Sequence, residues 1–133
     1  MKTGVSLPAD LLREIDEYMK TFGLRSRSKL LSEAVRSFMV ERAWMTEKER
    51  EVIGVLIVIY NEKRGDTVRR LLDIQHDFLG DIVATTHFHI SHEKCLEVIL
   101  TKGRVGHVTE LLSQIENVVG VEVARFVPVV LGK

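Results

Sequence analysis

The sequence has a single cysteine among 133 residues, no run of apolar residues long enough to span a bilayer, and no excess charge of either sign. One cysteine cannot close an intrachain disulfide. That fits a reducing, cytoplasmic setting, where a lone thiol is more readily a metal ligand or a nucleophile. The longest apolar run, VIGVLIVIY at 52–60, falls far short of the roughly 20 residues a membrane helix needs; its length and β-branched content are those of a buried strand. The N-terminus lacks the charged-then-apolar pattern of an export signal. Nineteen basic side chains balance nineteen acidic ones, which argues against a general polyanion binder. The balance is uneven along the chain: residues 1–50 carry ten basic and eight acidic groups, and all five histidines lie beyond them. With 45% hydrophobic and 29% charged residues, what is present suffices for one domain or two small ones.

The first half opens MKTGVSLPADLLREIDEYMKTFGLRSRSKLLSEAVRSFMVERAW. Lys2 to Leu7 alternates loosely, as a short strand would, and Pro8 ends it while suiting the first turn of a helix. Leu11, Leu12, Ile15, Met19 and Phe22 recur at helical spacing, with Gly23 placed to cap the C-terminus. Ser26 or Ser28 can cap a second helix, which runs to about Ala43 and is expected to bury Leu30, Leu31, Ala34, Val35, Phe38 and Met39. One six-residue strand has no ladder of its own, so its backbone groups call for the same strand of a second chain. Such a two-stranded ribbon fits the major groove of DNA. In this order and spacing, residues 2–42 resemble the ribbon-helix-helix repressors. The resemblance implies base contacts from Lys2, Gly4 and Ser6, a core position for Val5 and Leu7, and phosphate contacts from Arg27 and Ser28. Gly4 and Lys29 depart from the family pattern, which places a polar side chain at the first position and often an acidic one at the second.

AWMTEKERE reads as a short polar linker, separating a domain at 1–46 from one at 50–133. The second domain reads as a strand at 52–60, a helix over 65–78 with Val68, Leu71, Leu72 and Gln75 along one face, and a strand at 81–90. A polar turn, a strand at 95–102 ended by Gly103, a helix at 104–117 and a strand at 118–131 broken near Gly120 and Pro128 follow. The order βαββαβ is ferredoxin-like, a fold shared by ligand-sensing ACT domains. The fold class is therefore α+β, a dimeric βαα unit followed by a βαββαβ domain.

Residues 86–95, THFHISHEKC, gather three of the five histidines and the only cysteine. His87 and His89 alternate on one strand and so share a face; Cys95 follows the turn and begins the next strand. Two imidazoles and a thiolate are strong ligands for late first-row divalent ions. A fourth position could hold water, as in a catalytic zinc site with Glu93 or Glu97 as base, or a fourth protein ligand, for which His76 is a candidate.

QHDF, THFHISHEKCLEV and TKGRVGHV, in that order behind a ribbon-helix-helix segment, resemble the nickel-responsive regulators of the NikR family over essentially the whole chain. The resemblance implies one Ni(2+) per subunit, held in a plane by His87, His89 and Cys95 of one chain and His76 of another, with Gln75 and Glu97 orienting the ligands. It further implies a homotetramer built as a dimer of dimers and two-fold operator DNA. The protein would be a cytoplasmic repressor of nickel uptake, with no membrane partner and no catalytic residue. A copper or cobalt sensor, or an amino-acid sensor on the same scaffold, is the alternative. His107 reads as a surface residue.

Overall fold

The computed structural model describes residues 1–132, which divide into two units at Ala43/Trp44. In the first unit, α1 spans Ala9–Thr21 and α2 spans Arg27–Arg42. Gly23, at φ 66°, occupies the left-handed position after α1, and the Leu24 N–H reaches back to the Met19 carbonyl at 2.9 Å. That 6→1 bond is a Schellman stop, which satisfies a carbonyl the helix end would otherwise orphan. Ser26 is the cap of α2: its hydroxyl accepts from the Lys29 N–H at 3.1 Å. Arg27 grips Asp16 with two guanidinium nitrogens, tying the start of α2 to the middle of α1 and holding the Asp16 carboxyl below its usual range.

Two expectations fail within a single chain. Lys2 to Leu7 forms no strand, because among the described residues none offers it a ladder. And α2 buries none of its side chains: Val35, Phe38 and Met39 are all more than half exposed. Met19 is this unit's one buried apolar residue. Forty-three residues in two helices have too little interior to enclose a core alone.

The second unit is complete. A 3-10 turn spans Ala43–Thr46, and then β1 Glu51–Asn61, α3 Thr67–His76, β2 Ile82–His89, β3 Lys94–Arg104, α4 Val105–Glu116 and β4 Val121–Leu131 follow. The four strands pair antiparallel in the order β2-β3-β1-β4, with β2 and β4 at the edges, as the ferredoxin-like reading requires. Alternate residues of β1 (Val52, Leu56, Val58, Tyr60) and β3 (Cys95, Ile99) are buried on one face. There they meet Val105, Val108, Leu111, Leu112 and Ile115 of α4 in a single core.

Several details depart from the sequence reading. The linker is docked: Trp44 and Met45 pack against the core, Trp44 lies 4.9 Å from the Phe126 ring, and the Gly106 N–H donates to the Lys48 carbonyl at 2.9 Å. β3 continues through Gly103 to Arg104. β4 continues through Pro128, an edge-strand position where the missing N–H is tolerated; bulges against β1 take up the irregularity. In α3 the buried stripe is Thr67, Leu71 and Ile74, whereas Val68 and Leu72 are exposed. A polar residue sets this phase. The Thr67 hydroxyl bonds the Val119 carbonyl at 2.6 Å, beneath Gly120, whose φ of 100° and missing side chain let the turn close over it.

Candidate metal centre

Side chains directly opposed across an antiparallel pair share a face of the sheet. Cys95 stands opposite Tyr60 of β1 on one side and opposite His89 of β2 on the other. One row along, Glu97 stands opposite Val58 and His87. Tyr60, Cys95, Glu97, His87 and His89 therefore lie on the face that carries the helices, toward the β2 edge. Cys95 is fully buried; the two histidines, on an edge strand, are exposed. The buried thiol thus sits at the bottom of a site whose rim is imidazole.

The contacts are specific. Cys95 Sγ lies 3.4 Å from His89 Nδ1, and the thiol donates to the Glu62 carboxylate at 3.3 Å. His87 Nε2 lies 3.1 Å from the Tyr60 hydroxyl, its Nδ1 3.6 Å from Glu97. The other Glu97 oxygen accepts from the Gln75 amide at the end of α3. The rings of His87 and His89 are 5.8 Å apart. Burial pushes the Cys95 thiol above its ordinary value, and the Glu62 carboxylate adds to the effect. Burial, with Glu97 next in weight, raises Tyr60 as well, so its hydroxyl stays protonated and available as a donor.

Of the four expected ligands, the structure brings His87, His89 and Cys95 together on one hairpin. His76 is exposed at the last residue of α3 and, among the described residues, makes no hydrogen bond to the other three. Gln75 and Glu97, expected beside the ligands, form one relay that ends on His87. Glu93 and His92 are exposed in the turn between β2 and β3, and His107 pairs with Asp81 at 3.3 Å on the surface. The proposed DNA contacts Lys2, Gly4, Ser6, Arg27 and Ser28 are all exposed.

Tyr60 and Glu62 escaped the sequence reading. Tyr60 is the last buried residue of β1 and Glu62 lies two residues on. A strand order that places β1 beside β3 would have put both next to Cys95.

Residues 53–129 match the family model described as the NikR C-terminal nickel-binding domain. A protein of Methanothermobacter thermautotrophicus named as a nickel-responsive regulator is 40% identical over 125 residues, covering 94% of this chain and 89% of its own length. One from Methanocaldococcus jannaschii is 36% identical over 130 residues, covering 96% and 92%. One from Pyrococcus abyssi is 34% identical over 133 residues, covering 100% and 96%. Among solved structures, an uncharacterized protein of Thermotoga maritima superposes with a TM-score of 0.56 at 17% identity, over 60% of this chain and 99% of its own, a likeness of fold. With a nickel-domain match across most of the chain and relatives aligned along nearly all of it, the protein belongs to the family of nickel-responsive regulators.

Proposed function

We propose that this protein is a nickel-dependent DNA-binding repressor whose Ni(2+) ligands are His87, His89 and Cys95 of one subunit and His76 of the partner subunit. The observation that carries the reading is the hairpin: it sets two imidazoles and a buried thiol on one face, with Cys95 Sγ 3.4 Å from His89 Nδ1 and the rings of His87 and His89 5.8 Å apart, while His76 at the end of α3 is exposed. The donor set suits the ion. A thiolate with three imidazoles matches a planar, low-spin Ni(II) centre, one ion per subunit. When bound, the metal supplies a rigid link between chains; every other function belongs to the side chains. Cys95 gives up its proton and becomes an anionic ligand. Glu97, steadied by Gln75, lies 3.6 Å from His87 Nδ1 and orients the ring, which leaves Nε2 to face the metal. Tyr60, whose hydroxyl lies 3.1 Å from Nε2 in the metal-free chain, would release that nitrogen to the metal.

Exposed apolar surface supports the assembly. The face of the sheet opposite the helices carries Leu100 and Val123, each over a third exposed, and Phe88 at the β2 edge is half exposed. In the first unit, a groove of about 700 Å³ runs between Val5, Leu7, Leu31 and Val35. A second copy of the first unit fills that groove and pairs strand with strand, giving the ribbon; second-unit sheets associate to give a tetramer. Lys2, Gly4 and Ser6 then face the major groove, and Arg27 exchanges Asp16 for phosphate beside Ser28. By tying the sensor units together, nickel favours the arrangement in which both ribbons reach two-fold operator half-sites, and nickel uptake is repressed when nickel is plentiful.

The test is a Ni(II) titration of the apo-protein followed by operator gel shifts. One nickel per chain, intense thiolate charge transfer and a nickel-dependent shift are expected. Octahedral or absent nickel binding, or a shift driven only by Cu(II) or Co(II), overturns the nickel assignment.

A further inference from the structure

The guanidinium expected to meet DNA phosphate already holds an anion of its own chain. Arg27 Nε donates to one Asp16 oxygen at 2.8 Å and Nη2 donates to the other at 2.5 Å. A planar fork gripped through two parallel bonds is the same geometry that arginine uses for a phosphate. The pair lies at the surface, with the Arg27 side chain 54% and the Asp16 side chain 43% exposed, so a second anion can reach it. It is no part of the small interior around Met19.

The position of Arg27 sharpens the point. It is the first residue of α2, and a helix start favours negative charge, yet the first turn of α2 carries no acidic residue. Ser26 takes the Lys29 N–H on its hydroxyl and the Leu30 N–H on its carbonyl, both at 3.1 Å. The Arg27 and Ser28 amides have no carbonyl within the helix to reach. The carboxylate that Arg27 grips comes instead from the middle of α1. Its grip keeps the Asp16 carboxyl below the usual range, so the carboxylate stays charged at neutral pH and salt, not pH, loosens the pair. The Nη1 edge of the fork lies outside the Asp16 grip. A phosphate arriving there would share one positive charge with a carboxylate, and one cation cannot neutralise both anions.

We propose that Asp16 is a built-in competitor for DNA phosphate, an autoinhibitory carboxylate that weakens the first unit's grip on any polyanion. The inference rests on the proposed DNA-binding function and adds to it a residue that opposes binding. It also gives a use to a near-balanced charge, ten basic and eight acidic groups over residues 1–50. Stray phosphates meet a guanidinium that is already neutralised. An operator offers base contacts as well, and these offset the loss of the Asp16 pair. Asp16 thereby lowers non-specific binding more than it lowers specific binding, which widens the ratio a regulator depends on.

The test uses the nickel-loaded full chain and a mixed-sequence duplex of about 30 base pairs, titrated between about 50 and 200 mM KCl. Asp16→Asn, close in size, is expected to tighten binding about three- to tenfold at the low-salt end. The slope of log affinity against log salt is expected to steepen by about one unit for each Arg27 that reaches a phosphate. Glu17→Gln removes the same charge from the same helix at an exposed position and is expected to change affinity by less than about twofold. Asp16→Glu, which restores the carboxylate, is expected to return both readouts toward the wild type. In an Arg27→Ala background, Asp16→Asn is expected to do no more than Glu17→Gln. Damage to folding would weaken binding, the opposite of the expected direction. The proposal is overturned if Asp16→Asn weakens binding, matches the Glu17→Gln control, or tightens binding equally without Arg27. The two readings fail separately. A wild-type chain that shifts no duplex with nickel overturns the DNA-binding function itself; a shift that Asp16→Asn leaves unaltered overturns only the competitor.

Discussion

The two units of the chain solve the same problem in opposite ways. Residues 44–132 close a core within one chain, with fourteen mutually packed buried side chains from Val52 to Phe126. Residues 1–43 bury Met19 and little else, and leave Val5, Val35, Phe38 and Met39 facing outward. The first solution makes a sensor that folds by itself. The second leaves apolar surface that, in the proposed assembly, a second copy would cover, so its stability would depend on concentration and on how copies are held. Under the proposed function a regulator gains from that division, because the unit assigned to DNA would be the one whose state assembly can change.

The comparison can be broken most forcefully from the sensor side. Leu111 is fully buried, so Leu111→Ala is expected to cost about 2–5 kcal/mol in denaturant unfolding of the second unit at any protein concentration. Phe38→Ala in the first unit should instead leave the second unit's transition in place and weaken dimerisation, seen by sedimentation. Equal losses from both changes would mean the units do not differ as described. Cys95→Ala comes next: nickel affinity should fall at least about 100-fold while the fold survives, as read by titration and circular dichroism. A retained nickel-dependent operator shift would remove Cys95 from the ligand set.

The pH response is subtler. Burial raises the Cys95 thiol pKa, and the neighbouring Glu62 raises it further. The folded chain therefore holds that proton more tightly than the unfolded chain does. This contribution to apo stability is present below the ordinary thiol value and is lost as pH climbs through the raised one. Nickel must displace the same proton, so its apparent affinity should rise by up to about tenfold per pH unit below the raised value. An affinity flat between pH 6 and about 8 would show the thiol already ionised. The smallest effect is at the cap of α2: Ser26→Ala should cost about 1 kcal/mol in the first unit alone.

Much of the sensor could be read from the sequence because its signals are local. H-x-H on one strand and a cysteine after a short turn need only period-two geometry to be placed on one face, and the hairpin bears that out. The apolar stripe of α4 was equally plain, since Val108, Leu111, Leu112 and Ile115 keep helical spacing and are all buried. What the sequence hid is long-range. Glu62 and Tyr60 meet Cys95 only because β1 pairs with β3, some 33 residues away in chain order for the Glu62 contact. The phase of α3 was misread because a hydrogen-bonded threonine, not an apolar residue, leads its buried stripe. Trp44 and Met45 looked like linker because their partners lie across the sheet. The strand expected at Lys2 to Leu7 is not formed in the single chain, where no described residue offers it a ladder.

The position of β2 has a consequence in time as well as space. It is an edge strand, held by β3 alone and exposed along nearly its whole length, while β1 is flanked on both sides. Edge amides open and exchange with solvent far more often than central ones. His87 and His89 thus ride on an edge strand, and Cys95 on the neighbour it pairs with. If the proposed ligands hold the ion, such a hairpin would admit it during brief openings and release it slowly once they close, so the duration of occupancy, and not only its extent, would be a property this sheet sets.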